Sequence, residues 1–187
     1  MTTAVFINSA CWLVFLLYWV WTARKVKPDA EVKTNFRYVR WIIFLVAFVL
    51  LRPKGIAGHT VATTLLPHSA ALLLLSVLFS IAGVVIAIMA RRKLAGNWSS
   101  GVVLKQGHEL ITTGIYTYVR HPIYSGILLI ALGTAVVYGT LPSIMFFVFV
   151  LFFMMYKAVQ EEQLLTEHFR EYPVYRARTK RIIPFVW

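Results

Sequence analysis

The chain has 187 residues, 59% hydrophobic and 14% charged, with a mean hydropathy of +0.73. Soluble globular domains run at about 45–50% apolar and about 25% charged, so that class is excluded. The 19 Lys+Arg against 7 Asp+Glu suggest an anionic partner. These bases stand in short clusters between apolar runs, as they do where they orient membrane helices and meet lipid headgroups, so nucleic acid is set aside as a partner.

Ala4–Thr22 carries no charge over 19 residues, about 28 Å as a helix and enough to cross a bilayer. Trp19 and Trp21 mark its end as an interfacial belt. Cys11, the single cysteine, sits inside this run; it excludes an internal disulfide and a cysteine zinc site, and reads as a small buried apolar residue. The N-terminus lacks a basic n-region and its apolar run ends in Arg24-Lys25, so it does not read as a cleaved signal peptide. A basic loop follows, with Arg24, Lys25, Lys27, Lys33, Arg37 and Arg40.

The second apolar run, Trp41–Leu51, has only 11 residues. It spans either by including Phe36–Arg40 with snorkelling bases, or by continuing past Arg52 with a kink at Pro53 and Gly55. Both routes stay open over residues 36–57. Ala70–Ala90 is an unbroken run of 21 residues, about 31 Å long and the clearest span. Gly83 within it marks a close helix contact, and Arg91-Arg92-Lys93 ends it.

Leu94–Tyr118, with four glycines, is too polar to span. Pro122–Tyr138 and Pro142–Tyr156 are two apolar runs joined by Gly139-Thr140-Leu141, a link short enough to make an antiparallel helical hairpin. Both open on proline, which a first helical turn tolerates. Lys157–Trp187 reads as an amphipathic basic tail. The expected architecture is all-α: one domain, residues 1–187, forming a polytopic bundle of about five transmembrane helices. Residues 1–93 provide the first spans and residues 94–187 the functional half. With the N-terminus outside, 17 of the 19 Lys+Arg fall on one side and only Arg52 and Lys54 on the other. That split places residues 91–121 and the tail in the cytoplasm.

The chemistry-bearing residues gather on that face. Pro122 keeps His121 out of the α region, so Arg120-His121 stands just before a helix. Arg120 as a headgroup anchor and His121 as a cap would explain the pair alone. Tyr116, Tyr118 and Tyr124 taken singly are belt aromatics. Glu161 and Glu162, two of the seven acidic residues, shift the balance. Adjacent positions on a helix point about 100° apart, so the two carboxylates serve different partners. Leu164, Leu165, His168 and Phe169 continue the face begun by Glu161 at helical spacing. Lys157, Arg176, Arg178, Lys180 and Arg181 lie close enough in sequence to pair with them or hold an anion. The histidines show no metal-binding spacing, and hydrolase and nucleoside-triphosphatase motifs are missing.

Gly96-Asn97-Trp98-Ser99, Lys105-x-Gly107-His108-x-Leu110-Ile111-x-x-Gly114-Ile115-Tyr116, Arg120-His121-Pro122-x-Tyr124, Glu161-Glu162-x-Leu164-Leu165, Tyr172-x-x-Tyr175 and Arg181-x-x-Pro184 follow one another in order. This ordered set resembles the isoprenylcysteine carboxyl methyltransferases and the related phospholipid methyltransferases. The resemblance covers about residues 94–187; the N-terminal half shares only hydropathy. It implies an integral membrane methyltransferase that uses S-adenosylmethionine without a Rossmann fold, binds it at the cytoplasmic face, and takes a lipophilic or prenylated-cysteine acceptor from the bilayer.

Carried over by position, His108, Leu110, Ile111, Gly114, Tyr116, His121, Pro122, Tyr124 and Glu161 are implied at the cofactor, with no metal. Either Glu161 or Glu162 would face the cofactor's amino group or brace an arginine. Arg120, Glu162, Tyr175 and Arg181 are implied in the catalytic set, Arg181 with Tyr175 orienting the acceptor. A carboxylate acceptor needs only alignment and desolvation, whereas an amine must first lose a proton to a base such as Glu162 or His121. Phospholipid amine N-methylation is therefore the alternative, and a non-enzymatic scaffold or small transporter the alternative from another class.

Overall fold

The computed structural model describes residues 1–24, 26–34, 64–99 and 101–183. The expected second span, within residues 36–57, lies outside the described residues. Five α-helices and two short strands are described: α1 (Thr2–Ala23), β1 (Asp29–Thr34), α2 (Ala70–Leu94), β2 (Val102–Lys105), α3 (Pro122–Tyr138), α4 (Leu141–His168) and α5 (Tyr172–Arg178). Among the described residues, α1, α2 and α4 are long and apolar enough to cross a membrane, and α3 is a shorter apolar helix.

The helix ends follow local chemistry. The Ser69 side chain caps α2, accepting from the Leu72 N–H, and Arg91, Arg92 and Lys93 occupy its last turn, where cations meet the negative end of the macrodipole. Pro122 opens α3, and Gly139 closes it in a left-handed conformation at φ 61°, one that costs glycine nothing. Thr140 and Ser143 then form a reciprocal capping box that starts α4, satisfying two otherwise orphaned donors.

α4 corrects the sequence reading. It does not stop at Tyr156 but runs on to His168 as one helix of 28 residues, about 42 Å long. A hydrocarbon core is about 30 Å thick, so the end carrying Glu161 and Glu162 stands clear of it. A second addition is the sheet: β1 and β2 pair antiparallel, from Asp29 opposite Lys105 to Thr34 opposite Val102. The basic loop after α1 thus folds over part of the polar segment before α3.

α3 is the central helix, and most of its residues are buried against α1, α2 and α4. Its crossing with α2 is close because small residues face each other. A Cβ on Gly83 would sit 2.5 Å from the Gly126 carbonyl oxygen, and one on Gly126 would sit 2.5 Å from that of Gly83. Lipid gives apolar helices no hydrophobic drive to associate, so such packing and interhelical hydrogen bonds hold them together. Asn8 of α1 supplies the latter: its Nδ2 donates to Ser80 Oγ (2.8 Å), and its Oδ1 accepts from Thr134 Oγ1 (3.2 Å).

One end of the bundle collects the end of α1, the end of α2, the start of α3 and the end of α4. Arg91 helps fix this end. Its Nη2 donates to the Thr22 carbonyl at 3.1 Å, its Nη1 donates to Ala95, and its guanidinium lies 4.6 Å from the Trp98 ring centre.

Candidate active site

His121 is the residue before α3, and the chain returns to it from the tail. The Arg120 N–H donates to the Lys180 carbonyl (2.8 Å) and the His121 N–H to the Arg181 carbonyl (3.0 Å). The Ser125 hydroxyl donates to Ile182 O at 2.5 Å. Residues distant in sequence are thereby stitched into one wall.

At the centre of that wall is Glu162, 2% exposed. Its Oε1 accepts from Arg120 Nε (2.9 Å) and Arg181 Nε (3.0 Å) and lies 3.3 Å from His121 Nε2. Its Oε2 accepts from Arg181 Nη2 at 2.9 Å, and Arg176 Nε is 3.9 Å away. Arg120 Nη1 also donates to the Arg176 and Thr179 carbonyls. One carboxylate therefore holds two arginines and an imidazole by charge-assisted contacts, the strong kind.

Glu161 points elsewhere. Its Oε2 is 3.5 Å from His121 Nδ1 and its Oε1 is 3.6 Å from Lys157 Nζ. His121 lies between the carboxylates with its ring parallel to that of Tyr124, centroids 5.1 Å apart. Burial pulls the imidazole pKa down, but hydrogen bonds to Glu161 and then Glu162 outweigh it, so the pKa is raised above the usual 6.5.

In front of this wall lies a cavity, partly open to solvent, with about 820 Å3 of space not filled by atoms, open solvent included. Nine of the thirteen implied residues line it: His108, Leu110, Ile111, Tyr116, Arg120, His121, Tyr124, Glu161 and Tyr175. Tyr175 donates from its hydroxyl to the Tyr116 carbonyl at 2.7 Å, and burial raises its pKa to about 12. The Lys105 N–H donates to His108 Nδ1 at 3.2 Å. Burial first, then nearby cations including Lys27, lower the His108 pKa. A neutral ring with Nδ1 accepting carries its proton on Nε2.

Four of the implied residues do not line this cavity. Glu162 and Arg181 lie behind it, on a second depression with Gln163, Thr166 and Arg176. Pro122 is the buried first residue of α3, and Gly114 begins a short 3-10 turn at φ 68°. Between the two carboxylates, it is Glu161 that faces the cavity, while Glu162 braces the arginines.

Sequence reasoning assigned no role to Asn97, Trp98, Leu164 or Tyr172, all of which line the cavity. Each stands inside a motif segment, and that was the available signal. Val103 and Leu104 of β2 also line it, and nothing in the sequence marked them. Lys27 links the two halves: its Nζ donates to Asn97 Oδ1 (3.1 Å) and to the Gly107 carbonyl (2.8 Å). Among the described residues, no group of His, Cys, Asp and Glu is placed to hold a metal ion.

The family model of the isoprenylcysteine carboxyl methyltransferase family matches residues 72–167, which include most of α2, all of α3, most of α4 and most of the residues lining the cavity. The chain belongs to the isoprenylcysteine carboxyl methyltransferase family. The protein-S-isoprenylcysteine O-methyltransferase of Schizosaccharomyces pombe is 40% identical over 81 residues, 42% of this chain and 34% of that protein. Protein-S-isoprenylcysteine O-methyltransferase B of Arabidopsis thaliana is 37% identical over 84 residues, 44% of this chain and 43% of that protein. The matches thus span less than half the length of either relative.

The solved structure of the eukaryotic intramembrane Ras methyltransferase ICMT, without a monobody, aligns with a TM-score of 0.56 at 21% identity. It covers 82% of this chain and 55% of that one. At that identity the likeness shows a common fold, that of an integral membrane protein.

Proposed function

We propose that this family member transfers a methyl group from S-adenosylmethionine to the carboxylate of a lipophilic, isoprenylcysteine-like acceptor. The observation that carries this reading is how the charged wall is divided. Glu161 faces the cavity, while Glu162 is occupied by Arg120, Arg181 and His121 behind it.

The cavity suits S-adenosylmethionine. Trp98, Ile111, Tyr116 and Leu164 offer flat and apolar surface for a purine, and Glu161 offers an anion for an ammonium group. When bound, the cofactor supplies an electrophilic methyl on a sulfonium. The chain's own residues hold the partners in line and keep water out, which is most of what such a displacement requires. A carboxylate acceptor would bring no proton to be removed, so these residues would only have to align it with the methyl group and exclude water.

The same wall favours a carboxylate acceptor over an amine. An amine needs a free base. Yet Glu162 already accepts from two arginines, and His121 has a carboxylate near each ring nitrogen and a raised pKa. The split of 17 bases against 2 supports placing this face in the cytoplasm.

The test is a labelled-methyl assay on the purified protein in nanodiscs, offering S-farnesylcysteine and phosphatidylethanolamine side by side. Label in a base-labile methyl ester of the prenylated compound is expected, with S-adenosylhomocysteine binding as a separate readout. Label in phosphatidylethanolamine alone would overturn the acceptor assignment. No binding of S-adenosylhomocysteine would overturn the cofactor.

A further inference from the structure

Tyr172, the first residue of α5, is 1% exposed and among the largest fully buried side chains. Its hydroxyl is buried and makes no hydrogen bond to any described residue. Buried tyrosine hydroxyls normally find a partner, and an orphan costs stability, so each one calls for an explanation. The explanation here is positional. Tyr172 belongs to the cavity wall, in the same corner as Tyr175 and Arg120. Tyr175 has spent its own hydroxyl on the Tyr116 carbonyl, which leaves Tyr172 with the uncommitted donor of that pair.

We propose that the Tyr172 hydroxyl is a ligand-binding group, reserved for a carboxylate oxygen of a molecule held in the cavity. The inference rests on the methyltransferase reading given above. Hydrogen-bond chemistry selects the ligand atom. The unpartnered hydroxyl is a donor, so the atom it serves is an acceptor, and an ionised carboxylate oxygen is the strongest acceptor available. Arg120, on the same cavity wall, is a second donor suited to such an oxygen. Burial and then the Glu162 charge raise the phenol's pKa, so it stays a protonated donor through the physiological range.

Two carboxylates meet this description: that of the methyl donor's amino-acid portion and that of the acceptor. The hydroxyl is shielded in the unliganded wall and makes its bond as the site tightens around its occupant, which is common for functional hydrogen bonds.

Tyr172→Phe tests this, because it keeps the ring and removes only the unpartnered oxygen. For a group that serves a ligand, the melting temperature of the unliganded variant stays level or rises, while binding weakens. A lost hydrogen bond to a charged group corresponds to a roughly 10- to 100-fold weaker interaction. If the donor's carboxylate is the partner, the Kd for S-adenosylhomocysteine rises by that factor. If it is the acceptor's, that Kd holds and the KM for S-farnesylcysteine rises instead.

Unchanged Kd and KM overturn the proposal. A lowered melting temperature overturns it too, because the hydroxyl would then have a partner inside the fold. Should the unaltered protein fail to bind S-adenosylhomocysteine, the methyltransferase reading falls and takes this inference with it. Binding by the unaltered protein with an unaffected Tyr172→Phe variant removes the inference alone.

Discussion

Glu161→Gln and Glu162→Gln, two isosteric changes one residue apart, are expected to fail in opposite ways. Glu162 is 2% exposed and anchors Arg120, Arg181 and His121 at 2.9–3.3 Å. An amide in its place leaves two guanidiniums facing each other without an anion. Removing one partner of a buried ion pair costs about 3–5 kcal/mol. The Arg181 side chain is 17% exposed, which lets water soften the loss toward the lower end. A loss of about 3 kcal/mol at 2–4 °C per kcal/mol lowers the melting temperature by about 6–12 °C.

Glu161 has longer contacts, 3.5 Å to His121 and 3.6 Å to Lys157, and its side chain is 22% exposed. Its neutralisation costs about 1 kcal/mol or less in stability. Its effect falls on the cavity instead: a lost charge-assisted bond weakens S-adenosylhomocysteine binding about 10- to 100-fold. The assay is a thermal melt of each variant in one detergent, paired with calorimetric titration of the ligand. Equal melting temperatures for Glu162→Gln and the unaltered protein would refute the bracing argument. So would a larger destabilisation from Glu161→Gln.

Three more outcomes follow from the geometry. His121 has a raised pKa, so the stability it adds is fully present below about pH 6 and lost as pH rises past its folded pKa; the melting-temperature gap between the unaltered protein and His121→Asn shrinks from pH 6 to pH 9, and a constant gap would contradict this. Gly83→Ala drives a methyl group into the Gly126 carbonyl and costs about 1–3 kcal/mol as overpacking, to be read in a thermal melt that a relaxed crossing would leave unmoved. Lys27→Met frees Asn97 and the turn at Gly107, so amide exchange in residues 97–108 accelerates while Lys27→Arg stays near the unaltered rate.

The bundle was readable because hydrocarbon thickness sets the length of an apolar run. Ala70–Ala90 was expected and α2 begins at Ala70; Pro122–Tyr138 matches α3 at both ends. The end of α4 was misread because hydropathy falls at Lys157, although the helical period of Glu161, Leu164, Leu165 and His168 was already visible. Helix continuity depends on backbone bonding and packing rather than on polarity alone, and Ala158, Glu162 and Leu164 are buried along that stretch. The β1–β2 pairing went unseen because it joins segments about 70 residues apart, and strand register depends on contacts that a local pattern does not carry. In the site, adjacency told that Glu161 and Glu162 diverge. It did not tell which way either one faced, since that depends on where the tail places Arg181.

The bonds from Arg120, His121 and Ser125 to the carbonyls of Lys180, Arg181 and Ile182 also impose an order on biosynthesis. The hydrophobic helices can enter the bilayer as they emerge from the ribosome, but the wall behind the cavity cannot form until residues 180–182 have been made and have folded back. A nascent chain halted before that point would carry its hydrophobic helices yet leave Glu162 without Arg181. Membrane integration and completion of the cavity wall are thus separate events in the life of this polypeptide, with residues 180–182 setting the interval between them.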